Sequence, residues 1–142
     1  MEQQSEFLFV YGSLRVGFRD PAYEYLSKYF TFLGEAEVPG KFYFNGTVPV
    51  AVPSHDKNYI SGDLYALNNI DELKWVIVQL DDYEGLNVMN GEIPLYKREN
   101  VPVIFQGRNV NAWIYWYNRS VNEMTALDAE EVSKYTRQQK KP

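Results

Sequence analysis

The 142-residue sequence lacks cysteine entirely and contains a single histidine, His55. Disulfide bonds and thiol chemistry are therefore excluded, and a zinc site of the usual histidine and cysteine type cannot be assembled. If the chain is an enzyme, we expect a carboxylate, a tyrosine or a lysine to transfer protons. The absence of cysteine is also compatible with a reducing cytoplasm.

Long apolar runs and an excess of positive charge are missing as well. The longest uninterrupted apolar runs are about five residues, far short of a membrane span. The start MEQQSE is polar and acidic, unlike a signal peptide. The formal net charge is −5, whereas a nucleic-acid-binding protein usually has a basic face. We therefore predict a cytoplasmic protein without a nucleic-acid or membrane partner, and the oligomeric state is not indicated.

Hydrophobic residues make up 45% of the chain and aromatic residues 16%, which is typical of a folded protein. We predict one domain spanning residues 1–142, long enough to bury roughly two thirds of its unfolded surface.

Most of the chain has the residue pattern of β-strands. Residues 7–11 are continuously apolar, aromatic or β-branched, which indicates a buried strand. Pro39-Gly40 is predicted to separate two strands, and Asn45-Gly46 is a tight-turn signal. The proline-rich stretch 48–58 indicates a loop or an irregular edge. The predicted strands cover residues 7–11, 32–38, 41–44, 59–67, 95–105 and 110–117. The last two frame the turn-like QGRN at 106–109, which predicts a hairpin. The strand 110–117 has apolar or aromatic side chains on both of its faces, so we expect both faces to be buried.

Three helices are predicted, at residues 20–30, 69–83 and 128–140. Asp20-Pro21 is a helix start, because Asp accepts hydrogen bonds from free amides and Pro suits the first helical position. Asn69 and Glu72 resemble a capping box, and Gly85 is placed to end that helix in a left-handed cap. The apolar stripe of the middle helix is Ile70, Leu73, Ile77, Leu80 and Tyr83. These elements predict an α+β protein, a partly closed barrel with two or three short helices.

The run LDDYEGL at residues 80–86 places three carboxylates near a helix C-terminus, the end of the dipole that disfavours anions. Asp81 and Asp82 are interpreted as facing water. Glu84 continues the apolar stripe towards the buried side. Desolvation there would raise the pKa of its carboxyl group, which suits a general acid and base near neutral pH.

Five sequence blocks carry a resemblance to a known family. They are YGSLR at 11–15, GDLY at 62–65, LDDYEG at 80–85, YKRENVPV at 96–103 and AWIYWYN at 112–118. In this order, over about residues 7–117, the chain resembles the gamma-glutamylcyclotransferase-like superfamily, and within it the gamma-glutamylamine cyclotransferase branch. Residues 18–21 depart from the polar pair that many relatives carry, which leaves the choice of substrate open.

The resemblance implies a small mixed barrel with a cavity at one end, a small gamma-glutamyl substrate, and neither metal nor cofactor. It implies that Glu84 is the catalytic residue, that Tyr96 contributes to the pocket, and that Arg98 is structural or exposed. The implied substrate-binding loop consists of Tyr11, Gly12, Ser13 and Leu14. Residues 128–142 lie beyond the resemblance and form a predicted helix or tail.

The implied reaction closes the gamma-glutamyl group into 5-oxoproline and releases a free amine. The nucleophile is the α-amine of the substrate, so the protein needs no nucleophilic side chain. One desolvated carboxylate is able to take a proton from that amine and later to protonate the leaving nitrogen. The amides of a Gly-Ser turn suit the α-carboxylate or the oxyanion.

Three other interpretations stay open at this stage. A member of the same fold could bind a ligand without turning it over. Ser13 with His55 could form a serine hydrolase, although Ser13 is not in a Gly-x-Ser-x-Gly elbow. In a purely structural interpretation, YGSL is only a turn, the aromatic residues are core, and Tyr96 is a strand residue with its hydroxyl at the surface.

Overall fold

A computed structural model describes residues 6–11, 28–47, 49–83, 86, 91–128 and 130–132. A short 3₁₀ turn, Ile70–Glu72, leads directly into helix α1, Leu73–Tyr83. The strands are β1 (Phe7–Val10), β2 (Phe30–Phe44), β3 (Pro49–Pro53), β4 (Tyr59–Leu67), β5 (Tyr96–Phe105), β6 (Arg108–Tyr117) and β7 (Thr125–Leu127).

Five of the strands form a closed barrel. Their order is β2-β4-β1-β6-β5, and β5 returns to β2 through the pair Glu37 and Ile104. β1 lies parallel to β6, with Leu8 opposite Trp113, while the other barrel neighbours are antiparallel. β3 and β7 pair with β2 outside this path. The predicted small mixed α+β barrel is therefore confirmed.

The part of the barrel wall formed by β1 and β6 is buried on both faces. Phe9 of β1 and Tyr11, which follows the strand, belong to the core inside the barrel, whereas Leu8 and Val10 belong to a second core beneath α1. β6 alternates in the same way, as its sequence predicted. Ala112, Ile114 and Trp116 lie inside the barrel, while Trp113 and Tyr115 belong to the helix side. Two cores sharing one wall account for the unbroken apolar sequence of both strands.

The prediction that Pro39-Gly40 separates two strands is wrong. β2 runs continuously through this dipeptide and changes partner there, because Pro39 pairs with Tyr59 of β4 and Gly40 with Pro53 of β3. A Cβ at Gly40 would lie 2.6 Å from Cδ1 of Ile60. The dipeptide thus marks a corner where glycine leaves room for the side chains of Ile60 and Trp116.

Both predicted turns are confirmed. Gln106 and Gly107 form a two-residue loop between β5 and β6 with φ of 51° and 76°, the pattern of a type I′ hairpin. Between β2 and β3, the Thr47 amide donates to Oδ1 of Asn45 at 2.8 Å, and Gly46 has φ of 99°. The proline-rich stretch contains the edge strand β3, as proline at a sheet edge permits.

The predicted middle helix is confirmed, with Asn69 as the residue that caps its first turn. Oδ1 of Asn69 accepts from the Asp71 amide at 3.0 Å, which satisfies one free donor of the first turn. Leu73, Val76 and Leu80 are buried under the helix, but Ile70 is 47% exposed. Placing Ile70 on the apolar stripe was wrong, because it belongs to the 3₁₀ turn, whose tighter winding moves it off that face.

The other two predicted helices lie largely outside the described residues. Phe30, predicted as the last residue of the first helix, instead begins β2. The C-terminal helix is described only at residues 130–132. Its start is a reciprocal capping box, in which the Glu131 amide donates to Asp128 Oδ1 at 2.8 Å and the Asp128 amide donates to Glu131 Oε1 at 3.2 Å.

Candidate active site

Several chain segments that the resemblance assigns to the active site lie at one end of the barrel. β1 ends there at Val10, followed directly by Tyr11, and β6 ends there at Tyr117. β5 begins at the same end, because Tyr96 is paired with Tyr117. The last turn of α1 reaches this end through Asp81, which is bound to Arg98 of β5.

Tyr11 is a buried residue of the barrel interior. Its ring lies 5.8 Å from that of Phe42 and 6.1 Å from that of Trp116, between ring centroids. Its hydroxyl donates to the backbone carbonyl oxygen of Tyr115. The side chain thus fixes the end of β1 to β6, immediately before the predicted substrate-binding loop begins at Gly12.

Tyr96 is half-buried at the start of β5. Its ring meets that of Tyr117 edge to face, at 6.1 Å between centroids and an interplanar angle of 73°. Strand alternation places Tyr96 on the same face of β5 as Arg98, which is two residues further on. That face is the one towards α1, because Arg98 reaches Asp81.

Asp81 and Arg98 form the main polar contact of this end. Nε of Arg98 lies 2.8 Å from Oδ1 of Asp81, and Nη2 lies 3.1 Å from Oδ2. The Tyr115 hydroxyl also donates to Oδ1 of Asp81, at 2.7 Å. The guanidinium of Arg98 lies over the ring of Trp113, 4.7 Å from its centroid. The side chains of Arg98 and Asp81 are 25% and 18% exposed.

The interpretation that Asp81 faces water is therefore wrong, whereas Asp82 is exposed as expected. A carboxylate near a helix C-terminus is disfavoured by the dipole, and the bidentate arginine supplies the opposing charge. Arg98 has the structural role that the resemblance implied. No local sequence pattern pairs positions 81 and 98, so this contact was missed.

Four predicted site residues lie outside the described residues, namely Gly12, Ser13, Leu14 and Glu84. The predicted cap residue Gly85 lies there as well, but the Leu86 amide donates to the Asp81 carbonyl oxygen at 2.9 Å. This spacing of donor and acceptor is typical of a Schellman cap.

The remaining candidates give no further site. His55 is exposed on the loop between β3 and β4. Among the described residues, no three histidine, aspartate or glutamate side chains are grouped so that they could hold a metal ion. No helix in the described parts of the chain is long and apolar enough to cross a membrane.

In the described residues, a closed mixed barrel has helix α1 packed across its wall, and this fold is that of a gamma-glutamylcyclotransferase-like protein. The profile of the family "Gamma-glutamyl cyclotransferase, AIG2-like" matches residues 8–137. The chain belongs to this family, as the five sequence blocks indicated.

Individual relatives agree with this assignment. A Methanocaldococcus jannaschii protein named "Putative gamma-glutamylcyclotransferase" is 30% identical over 118 residues, which cover 81% of this chain and 87% of the relative. The crystal structure of an uncharacterized protein from Pyrococcus horikoshii is similar with a TM-score of 0.60 and 18% identity, covering 95% of this chain and 96% of the other. A solved structure named "Gamma-glutamyl cyclotransferase" has a TM-score of 0.52 and 14% identity, covering 98% and 82%. At these identities the two structures support the fold alone.

Proposed function

We propose that the protein cyclises the gamma-glutamyl group of a gamma-glutamyl amine or amide to 5-oxoproline and releases the free amine. Family membership supports the reaction class. The observation that carries the proposal for this chain is that Tyr115 binds both chain segments leading to the proposed site. Its carbonyl oxygen accepts from Tyr11, and its hydroxyl donates to Asp81.

Covalent connectivity then limits where the proposed catalytic groups lie. Consecutive Cα atoms are about 3.8 Å apart, so the Cα of Glu84 lies within roughly 11 Å of that of Asp81 whatever path the chain takes. Gly12 follows Tyr11 directly. These limits are compatible with our proposal that the Glu84 side chain and the backbone amides of Gly12 and Ser13 contact the same small substrate at this end of the barrel.

In the proposed reaction, the Glu84 carboxylate accepts a proton from the α-ammonium group of the substrate. The free amine attacks the gamma-carbonyl carbon, and a carbon–nitrogen bond forms in a five-membered ring. The attacking nitrogen gives up a second proton while the leaving nitrogen is protonated and its bond to the carbon breaks. Two protons leave the attacking nitrogen and two reach the leaving nitrogen, so the products are 5-oxoproline and a protonated amine.

The proposed roles of the other residues follow from this scheme. Backbone amides at Gly12 and Ser13 bind the α-carboxylate or the oxyanion of the intermediate, and Leu14 and Tyr96 line the pocket. The Tyr11 hydroxyl is bonded within the barrel, so we assign Tyr11 to substrate binding through its backbone. Holding the glutamyl chain curled supplies up to ~7–11 kcal/mol through orientation, and the acid–base step about 10²–10⁴-fold in rate.

Glu84→Gln tests the proposal. We expect turnover to fall by about 10²–10⁴-fold. The thermal midpoint should equal that of the parent or be higher, because the proposed role requires a desolvated carboxylate and a neutral amide would avoid that cost. A coupled assay for 5-oxoproline over a panel of gamma-glutamyl amines measures turnover. Asp82→Asn is the matched control, since it removes an exposed carboxylate two positions earlier and should keep the parental rate.

The alternative of a non-catalytic binding member is tested in the same panel. Measurable binding of a gamma-glutamyl amine by calorimetry, without 5-oxoproline formation by the parent protein, would favour that alternative. Parental turnover in Glu84→Gln would instead overturn the catalytic assignment while leaving the fold and family unaffected.

A further inference from the structure

We propose that Asp81, Arg98 and Tyr115 are positioning residues. They hold the C-terminal end of α1 so that Glu84, three positions after Asp81, faces the substrate. This inference rests on the proposed function of Glu84. It concerns how the site is held and not which group reacts.

The three contacts on Asp81 are more than a surface ion pair requires. Both of its oxygens accept from Arg98, and one also accepts from Tyr115. Bidentate arginine–carboxylate pairs restrict the geometry of both side chains, which a single contact does not. Most of this cluster is removed from water, since Tyr115 is 2% exposed and the ion pair is mostly buried. The contacts therefore fix the orientation of the Asp81 carboxylate and also compensate its negative charge.

The partners of Asp81 are themselves held in place. Arg98 and Tyr115 are directly opposite each other on β5 and β6, so the barrel register sets their spacing. The Trp113 ring beneath the guanidinium restricts its plane. The end of α1 is consequently attached to the rigid barrel wall, and not only packed on it through apolar contacts.

Asp81 also holds the chain beyond the helix through its backbone. Its carbonyl oxygen accepts from the Leu86 amide at 2.9 Å, and Glu84 lies between these two residues in the sequence. This one hydrogen bond therefore joins the end of α1 to the residue five positions further along the chain. Because the side chain of Asp81 is attached to β5 and β6, the barrel fixes where this closed segment begins and ends.

Tyr115 also connects this cluster to the end of β1, which leads into the predicted substrate-binding loop. Its hydroxyl binds Asp81 on the helix side of the wall, while its carbonyl oxygen accepts from the Tyr11 hydroxyl. A shift of β6 would therefore move the ends of both α1 and β1. This continuity gives a physical reason for a tyrosine at position 115, where phenylalanine would fill the same core.

Kinetics of Arg98→Met and Tyr115→Phe test the inference. A displacement of about 1 Å can cost about 10²-fold in rate, so we expect kcat to fall about 10–100-fold while KM stays within about twofold of the parent. Arg98→Lys keeps the charge but cannot form the bidentate contact, so it should restore only part of kcat. Arg108→Met is the matched control, because it removes an exposed arginine at the opposite end of the same hairpin and should keep both constants.

Amide hydrogen exchange provides a readout that does not need turnover. In Arg98→Met and in Tyr115→Phe we expect the Leu86 amide to exchange about tenfold faster, while the amide of Leu80 within α1 keeps its protection. Parental exchange at Leu86 in both variants would overturn the inference, as would a fall in kcat/KM caused by KM alone. Should either variant not fold, the other decides.

The two proposals fail in different ways. If Glu84→Gln is inactive but Arg98→Met and Tyr115→Phe retain the parental kcat, the positioning inference is wrong and the proposed function stands. If Glu84→Gln retains parental turnover while Leu86 exchanges faster in Arg98→Met, the cluster holds the helix end but the catalytic assignment of Glu84 is wrong. The positioning role, which requires Glu84, then falls with it.

Discussion

Adding one methyl group at Gly62 of β4 should lower the stability of the fold strongly. Its neighbours Ile60 and Leu64 belong to the barrel interior, so a side chain at position 62 would point to the same face. A Cβ built on Gly62 would lie 2.3 Å from the backbone oxygen of Val10 and 2.6 Å from Cζ of Phe9. The sequence block GDLY therefore begins with a glycine because β1 passes directly over it.

The cost of Gly62→Ala can be worked from these contacts. An ordinary contact between a carbon and a carbonyl oxygen is about 3.3–3.6 Å, so β1 and β4 must separate by about 1 Å. Overpacking of this kind costs about 1–3 kcal/mol, and a backbone atom that cannot rotate away favours the upper end. Replacing glycine regains about 0.4–1 kcal/mol through the unfolded state. We expect a net loss of about 2 kcal/mol, or about 4–8 °C in the thermal midpoint for a chain of this size.

Urea denaturation and calorimetry of Gly62→Ala, beside Gly40→Ala, measure this effect. At Gly40 the shortest contact of the added methyl would be 2.6 Å to Cδ1 of Ile60, the end of a side chain that can change rotamer. We expect Gly40→Ala to lose about half as much stability or less. If Gly62→Ala were as stable as the parent, or more stable than Gly40→Ala, the close approach of β1 to β4 would be refuted.

Three further substitutions, with Val78→Ala as a control, test the packing and the cap of α1. Tyr11→Phe leaves the Tyr115 carbonyl without its side-chain donor and should cost about 1 kcal/mol in urea denaturation; an unchanged midpoint would contradict that hydrogen bond. Asn69→Ala removes the acceptor for the Asp71 amide and should cost about 1 kcal/mol, whereas a cost near zero would show that water replaces the cap. Leu80→Ala should cost about 2–5 kcal/mol, but Val78→Ala, 59% exposed on the same helix, less than about 0.5 kcal/mol; similar losses at both would refute the assigned buried face.

Elements whose signals are local were predicted well. The β5–β6 hairpin follows from its Gly-containing turn between aromatic runs, and α1 follows from the Asn69 cap and the spacing of its apolar residues. The alternating burial of β6 was also predicted, because a strand that is apolar on both faces must be covered on both. β7 was not predicted, since its three residues carry no pattern and pair with β2 only through the fold.

Non-local contacts account for what was missed. Pro39-Gly40 looks like a break because both residues interrupt strands in general, and only the change of partner from β4 to β3 explains why β2 continues. Asp81 looks like a solvated carboxylate because its partners Arg98 and Tyr115 are distant in sequence. Neither the partner change of β2 nor the contacts of Asp81 can be read from the neighbouring sequence.

The sequence by itself determined the α+β class, the hairpin, the capped helix and the family, because turns, caps and apolar spacing act within a few residues of one another. Only the tertiary structure decided that the barrel closes through β2 and β5, that Gly62 lies beneath β1, and that Asp81 is bound to the barrel wall. These features depend on the register between strands far apart in the chain, and register is selected by the packing of the whole core and not by any single segment.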